Sequence, residues 1–468
     1  MLFNSIQYIY IFLPITIIVY FLLNYLKRYT IAKLSLIVFS LIFYSFHEIR
    51  FLPLLLGSII FNYNIANYLN REKAKFFLIF GIFINILILC IFKYTNFVIK
   101  NVNLFIDNKI DFINLIFPIA LSFFTLQQIT YLVNCYEEKK NISNFVNYSF
   151  YVTFFPQLVA GPIILFYNIK DQFDELELKK IKLNNLYVGL FIIFIGLFKK
   201  VIIVDYLSTF VDNNFYNYES LNFYSTWITS ISFTLQFYYD FSSYSDIAIG
   251  SALLLNFNIP NNFNSPLRST SIIDFWQRWH ISLSNFINHY MYIPILKKIR
   301  NFNLYKNFFV ILFIMTIIGL WHGPNYNYII FGTLHGIGLG FNHIFRSYNI
   351  KVNKILSWII TINFVNVTFV FFRSENYQQA IHILKKMFYF KNYELIQFSD
   401  LWSNLSYSHI FIIVISLVGI TLKNTSSLRN EIKANYLNSL IIVFFAVTTL
   451  YYLLSRFGFE DKFIYLQF

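Results

Sequence analysis

The chain has 468 residues, of which 57% are hydrophobic and only 12% charged, and it carries a formal net charge of +14. A soluble domain carries about a quarter charged residues, so this chain lacks the polar surface to cover a water-soluble body. Lipid is the remaining solvent. The positive charge is then read as short basic loops against anionic headgroups, and no nucleic-acid partner is expected.

In chain order, Met1–Leu26 is apolar, with no basic leading region and no small-residue cleavage site. It is read as a first spanning helix rather than a removed signal peptide. Apolar blocks follow at roughly 33–46, 51–67, 76–96, 113–134, 145–166, 186–205, 222–257, 272–294, 306–321, 326–346, 355–372, 408–423 and 437–455. A spanning helix needs about 20 apolar residues, so about 11 or 12 full crossings are expected, with the short or Pro-broken blocks re-entrant or interfacial.

With the N-terminus outside, the inner loops hold Lys27, Arg28, Lys33, Arg71, Lys73, Lys75, Lys139 and Lys140. The outer ones hold Arg50, Lys100 and Lys109. That bias supports an outer N-terminus. The polar stretches 170–185 and 373–405 are too short for an independent core. The expected fold is therefore all-α: one polytopic helical membrane body over 1–468, with its motifs within 113–345. Cys90 and Cys135 read as small buried hydrophobes, and no metal site is expected.

The exceptions to apolar packing carry the information, because ionisable groups at membrane depth are costly. A first group, Gln127, Gln128 and Gln157, sits in apolar surroundings and suits bonds between helices. Pro156 and the pair Gly161-Pro162 predict an interrupted helix there.

The second group is the run Asn264–Ser284. Ser271 or Thr270 can cap a helix starting at Ile272, with Asp274 in its first turn. Asp274 and Arg278 are four apart and can pair. On one continuous helix, Trp276, Trp279 and His280 share a face, whereas His289 falls about half a turn out of phase with His280. Two readings stand: an interfacial helix with Trp in the headgroup belt, or the wall of a buried site.

The third group is Gly319-Leu320-Trp321-His322-Gly323-Pro324-Asn325, followed by His335 in a Gly-rich segment. Six of the 14 glycines (319, 323, 332, 336, 338, 340) lie here. Gly323-Pro324 ends the helix directly after His322. A break at membrane depth is tolerated only when buried in protein or lining an aqueous cavity. The glycines admit either a close helix neighbour or a thin acyl chain. A tightly packed helix pair with a core histidine is the competing reading.

Together the stretches Pro118–Tyr131, Phe154–Pro162, Asn262–Ile295 and Gly319–Gly340 resemble the membrane-bound O-acyltransferase family. The nearest branch is that of bacterial alginate O-acetylation and peptidoglycan O-acetyltransferases, with the D-alanyl transfer protein of lipoteichoic acid synthesis nearby. The resemblance reaches roughly residue 375. It implies a helical fold with broken helices around a central catalytic cavity, in the inner membrane of a bacterium. It also implies that His322 is catalytic with His280 as partner, that Asp274, Trp276, Arg278 and Trp279 support them, and that His335 has a further role. Trp321, Asn325, Gln127, Gln128 and Gln157 are taken as cavity residues. Pro324 departs from the family pattern, which has a small or polar residue there.

The resemblance further implies no bound cofactor, acetyl-CoA or another acyl thioester as donor, and a periplasmic SGNH-type acetyltransferase as partner. The acceptor would be a polysaccharide, with peptidoglycan ahead of an alginate-like exopolysaccharide. A flippase for a lipid-linked glycan and a non-catalytic export scaffold are the rival readings.

Overall fold

The computed structural model describes residues 1–69, 74–138, 143–159, 161–389, 407–432 and 435–455. Arg71, Lys73, Lys139 and Lys140 of the loop-charge reading lie outside these residues, as do Ala160 and the later part of the 373–405 stretch. The described secondary structure is helical. In chain order it comprises α1 (Leu13–Tyr25), α2 (Tyr29–Glu48), α3 (Leu52–Tyr68), α4 (Ala74–Val102), α5 (Leu121–Glu138), α6 (Phe145–Thr153), α7 (Phe155–Leu158), α8 (Leu183–Phe198), α9 (Asp205–Tyr216), α10 (Phe223–Leu254), α11 (Ile272–Arg278), α12 (Ile281–Ile287), α13 (Ile293–Lys298), α14 (Leu304–His322), α15 (Tyr326–Ser347), α16 (Lys354–Arg373), α17 (Tyr377–Phe388), α18 (Tyr407–Thr421) and α19 (Tyr436–Ser455).

The abundant asparagine has a structural use. A helix start leaves backbone N–H groups without intrahelical partners, and an amide oxygen at the N-cap accepts one of them. Asn144, Asn303, Asn325, Asn353 and Asn376 each cap a helix in this way.

Among the described residues, eight segments are long and apolar enough to cross a membrane: Tyr8–Tyr25, Tyr29–Phe46, Ile49–Tyr68, Ala74–Val102, Leu183–Tyr216, Leu304–His322, Lys354–Arg373 and Asn438–Ser455. α10, with 32 residues, and α15, with 22, are equally long. They fall outside this set because they are rich in Ser, Thr, Gly and Asn and carry buried groups such as Asp240 and His335. The block at 113–134 departs from its expected bounds. Its helix begins only at Leu121, after a non-helical approach.

The chain forms two compact units that exchange segments. One is Met1–Phe194, Tyr244–Asn261 and Ile432–Val443. The other is Ile195–Ser243, Asn262–Glu431 and Phe444–Phe468.

In the first unit, Gln128 accepts a hydrogen bond from Asn62 and donates to Ser58 Oγ at 3.1 Å, while Asn85 donates to Asn62 at 2.7 Å. These bonds join α3, α4 and α5 as amide glue between apolar helices. Gln157 donates to the Tyr151 carbonyl. The expected break is present: α6 ends at Thr153, α7 is a single turn, and Gly161–Leu165 is buried and non-helical. α8 and α10 cross at Gly189 and Gly250, where a Cβ on either glycine would strike the other's carbonyl oxygen.

The second unit holds the Gly-rich hairpin of α14 and α15. A Cβ on Gly319 would strike the Tyr328 carbonyl, and one on Gly332 the Met315 carbonyl. Gly336 faces Leu312, and Gly340 faces the Phe308 ring. The neighbouring helix fills these glycine grooves, so at these positions the reading of space for a thin acyl chain is corrected.

Candidate active site

The run from Asn262 to Ser284 is two short helices joined by a strained corner. Ser271 caps α11 by accepting the Asp274 amide at 3.0 Å, and Arg278 Nε donates to Asp274 Oδ1 at 2.6 Å, both as the spacing predicted. The helix then stops. Trp279 is extended, and His280 adopts the left-handed conformation with φ 45° and ψ 53°. A non-glycine residue there is held only by its surroundings. Two backbone bonds clamp the corner, Asn264 N to Arg278 O and Ile281 N to Asn262 O, each 2.9 Å.

Two expectations are thereby corrected. Trp276, Trp279 and His280 share no helix face, because the helix ends before two of them. The phase argument separating His280 from His289 also loses its premise, since the chain turns between them. His289 is exposed in a π-helical turn, with Nδ1 2.9 Å from the Asn285 carbonyl. The headgroup-belt reading fails as well, because Trp276 and Trp279 are buried in protein.

His280 is 1% exposed. Its Nδ1 lies 3.1 Å from Asn262 Oδ1, which also accepts from the Ser282 amide and hydroxyl. The Ser282 N–H fixes that atom as the amide oxygen. Nδ1 is therefore the protonated nitrogen, and Nε2 carries the lone pair. Burial pushes the imidazole down to about 3, so it is neutral. In this form His280 accepts a proton or orients a donor. It does not offer Nε2–H to an oxyanion.

His335 is fully buried and doubly engaged. Trp276 Nε1 donates to its Nδ1 at 3.2 Å, and Thr368 Oγ1 lies 3.0 Å from Nε2. The indole only donates and the threonine hydroxyl already donates to Val365 O, so Nε2 carries the proton. Both nitrogens are consumed in tying α11 to α15 and α16.

His322 is the last residue of α14 and is 7% exposed. Gly323 follows in extended conformation, and Asn325 caps α15 while donating to the Glu375 carbonyl at 2.8 Å. The Trp321 ring lies 5.1 Å from the His322 ring, and Phe331 and Phe372 stand edge-on at 6.1 and 5.4 Å. Phe372 packs on Phe237 at 4.8 Å, which packs on Trp279 at 5.3 Å. His335 meets the same cluster through Phe331 at 4.6 Å, and Phe241 covers His280 at 4.7 Å. One aromatic body thus carries the W-H-G and R-W-H motifs. A cavity of about 170 Å³ beside it is lined by Trp276, Ile311, Ile314, Met315 and Leu339, and neither His280 nor His322 lines it. Gln127, Gln128 and Gln157 belong to the first unit.

Sequence reading missed one cluster in the second unit. Lys200 Nζ lies 2.9 Å from Asp240 and 3.4 Å from Asp205, with all three side chains buried. Lys200 sits on a π-helical segment, Lys199–Val204, between α8 and α9. The signal was available: three charges fall inside or at the edge of the apolar blocks 186–205 and 222–257, where charge implies a partner.

Residues 8–376 match the membrane-bound O-acyltransferase family. The chain belongs to that family. It is 39% identical to a peptidoglycan O-acetyltransferase of Helicobacter pylori, over 83% of this chain and 80% of the relative. It is 33% identical to a probable alginate O-acetylase, AlgI, of Pseudomonas aeruginosa, over 84% and 76%. A teichoic acid D-alanyltransferase of Bacillus subtilis is 28% identical over 48% of this chain. The chain is thus a multi-pass membrane acyltransferase, and both non-enzymatic readings are set aside.

Proposed function

We propose that this acyltransferase takes an acetyl group from acetyl-CoA at the cytoplasmic face of a bacterial inner membrane and passes it outward for O-acetylation of peptidoglycan. Peptidoglycan stands ahead of an alginate-like exopolysaccharide because the H. pylori relative shares more identity than the alginate O-acetylases do. The observation that carries the reading is His322 at a helix end, walled by Phe331 and Phe372, in one aromatic body with the R-W-H corner.

Loop charge within the second unit supports the direction. Lys297, Lys298, Arg300, Lys306, Arg346, Lys351 and Lys354 gather at the start of α14, the end of α15 and the start of α16, whereas the opposite ends carry Arg373 alone. Positive loops lie inside. His322 is then roughly 27 Å along α14 from the basic end, at 1.5 Å per residue. A base in that position serves an acceptor arriving from the outer side.

The thioester is already activated, so the chief task is deprotonation. His322 takes the proton of the acceptor hydroxyl, whose oxygen attacks the thioester carbonyl. The C–S bond breaks and the thiolate recovers the proton from His322. His280, set in one tautomer by the Asn262 bond, orients the acceptor through a group other than the reacting hydroxyl. A periplasmic SGNH-type acetyltransferase then delivers the acetyl group to the glycan.

The test compares ester acetate in wall and extracellular glycan from cells expressing wild type, His322→Ala or His280→Ala at matched membrane levels. Loss of wall acetate with His322→Ala supports the reading and names peptidoglycan. Unchanged acetate in every fraction refutes it.

A further inference from the structure

A second cavity, of about 550 Å³, opens in the second unit where α9 ends and α10 begins. That volume falls within the ~300–1,000 Å³ of small-molecule sites. Three contacts fix its place. Arg373 Nη2 donates to Asp212 Oδ1 at 2.7 Å, Gln379 Nε2 to the Phe215 carbonyl at 2.7 Å, and Asn327 Nδ2 to the Ser374 carbonyl at 2.9 Å. The cavity therefore stands at the end of the unit that carries His322, away from the basic loops. No Lys, Arg, Asp or Glu is among its described lining residues. Four amides line it instead, and their bonds fix how each is turned. Asn214 Nδ2 donates to Thr229 Oγ1 at 2.9 Å, which leaves its Oδ1 to accept. Asn217 Nδ2 donates to the carbonyl and to Oδ1 of Asn213, each at 3.1 Å. That leaves Asn217 Oδ1 to accept and the Asn213 NH₂ to donate. Asn222 Oδ1 accepts the Ser225 amide at 2.9 Å, which leaves its NH₂ to donate. The rings of Phe210 and His409, 5.1 Å apart, border the same space. Two donors, two acceptors and ring faces, with no carboxylate, ammonium or guanidinium, match a carbohydrate. Its hydroxyl and acetamido groups donate and accept, and its C–H face packs on a ring.

We propose that this cavity binds an uncharged stretch of N-acetylated aminosugar oligomer, with Asn213, Asn214, Asn217 and Asn222 as its polar ligands. The membrane protein itself then holds a glycan strand at its surface, apart from the histidine site. A polyuronate fits badly, because its carboxylates would lose water with no cation to meet them. The outward placement of the cavity rests on the orientation used for acyl transfer, and the sugar chemistry does not. Thr209, Asn213, Asn217 and Ser220 are exposed, so replacing them leaves folding within the small range typical of surface substitutions.

The experiment uses the full-length protein in phosphatidylcholine nanodiscs. It compares wild type with Asn213→Ala/Asn217→Ala, which removes two ligands, and with Thr209→Trp, which fills the space. Binding of chitotetraose and of a mannuronate tetramer is read by saturation-transfer NMR. Losing two hydrogen bonds should weaken chitotetraose binding by about tenfold, and Thr209→Trp should weaken it at least as much. The mannuronate tetramer should bind far more weakly than chitotetraose. If wild type binds no chitotetraose, if both variants bind it as wild type does, or if the mannuronate tetramer binds equally well, the proposal is overturned. In intact spheroplasts, Ser220→Cys should react with a membrane-impermeant maleimide. Reaction only after lysis would put the cavity inside the cell and overturn the proposal too. If ester acetate survives His322→Ala while wild type binds chitotetraose and both variants lose it, the acyl-transfer reading of His322 fails and the sugar site stands.

Discussion

Replacing Gly332 with alanine should loosen the hairpin that positions His322. A Cβ on Gly332 would meet the Met315 carbonyl oxygen and lie 2.8 Å from both Cα and N of Gly319. Carbon atoms rest at about 3.5–4.0 Å, so α14 and α15 must separate by on the order of 1 Å. The obstructing atoms are backbone, so no rotamer relieves the clash. Overpacking of this kind costs ~1–3 kcal/mol, against ~1 kcal/mol gained in helix propensity, for a net loss of up to ~2 kcal/mol. Gly57 on α3 is the internal control, since a Cβ there meets nothing within 4 Å. Gly57→Ala should therefore hold or raise stability. The assay is the apparent melting temperature of detergent-purified variants, followed by loss of the monodisperse chromatographic peak after heating. Gly332→Ala melting at or above wild type, with Gly57→Ala below it, would refute the packing argument. Gly319→Ala should melt early for the same reason and lower ester acetate further, because His322 lies three residues beyond it.

Three other outcomes follow from the second unit. Lys200→Met strands two buried carboxylates and should cost ~3–5 kcal/mol, read as loss of folded protein from the membrane. Asp205→Asn should be milder, since Asp240 is the nearer partner, and equal yields of all variants would contradict the triad. His335→Leu orphans the Trp276 N–H at ~1–3 kcal/mol, and a double-mutant cycle with Trp276→Phe should return a coupling above about 0.5 kcal/mol. Because burial holds His280 at about 3, well below the usual imidazole value, it stays neutral across physiological pH. Its replacement by Asn should lower acetyl transfer without moving the midpoint of the acid limb, and a displaced midpoint would show that His280 ionises in that range.

Much of the site was legible because its signals are local. Ser271 as cap, the Asp274–Arg278 pair, the stop after His322 and the break around Pro156 each depend on residues within four positions of one another. The corner at His280 was not legible. Nothing in Arg-Trp-His announces a left-handed residue, and the turn is imposed by Asn262 and Asn264, eighteen and sixteen positions upstream. The roles of the two motif histidines diverged for the same reason. His335 is locked by Trp276 and Thr368, while His280 is set in one tautomer by Asn262.

Composition and periodicity alone determined that this chain lives in lipid, is helical and breaks its helices at specific prolines and glycines, because backbone satisfaction in hydrocarbon leaves few alternatives. The motif order also carried the family. Only tertiary structure decided what the glycines face, which tautomer each buried histidine adopts and that Lys200 lies between Asp205 and Asp240. Those outcomes depend on partners whose approach is fixed by packing rather than by spacing along the chain.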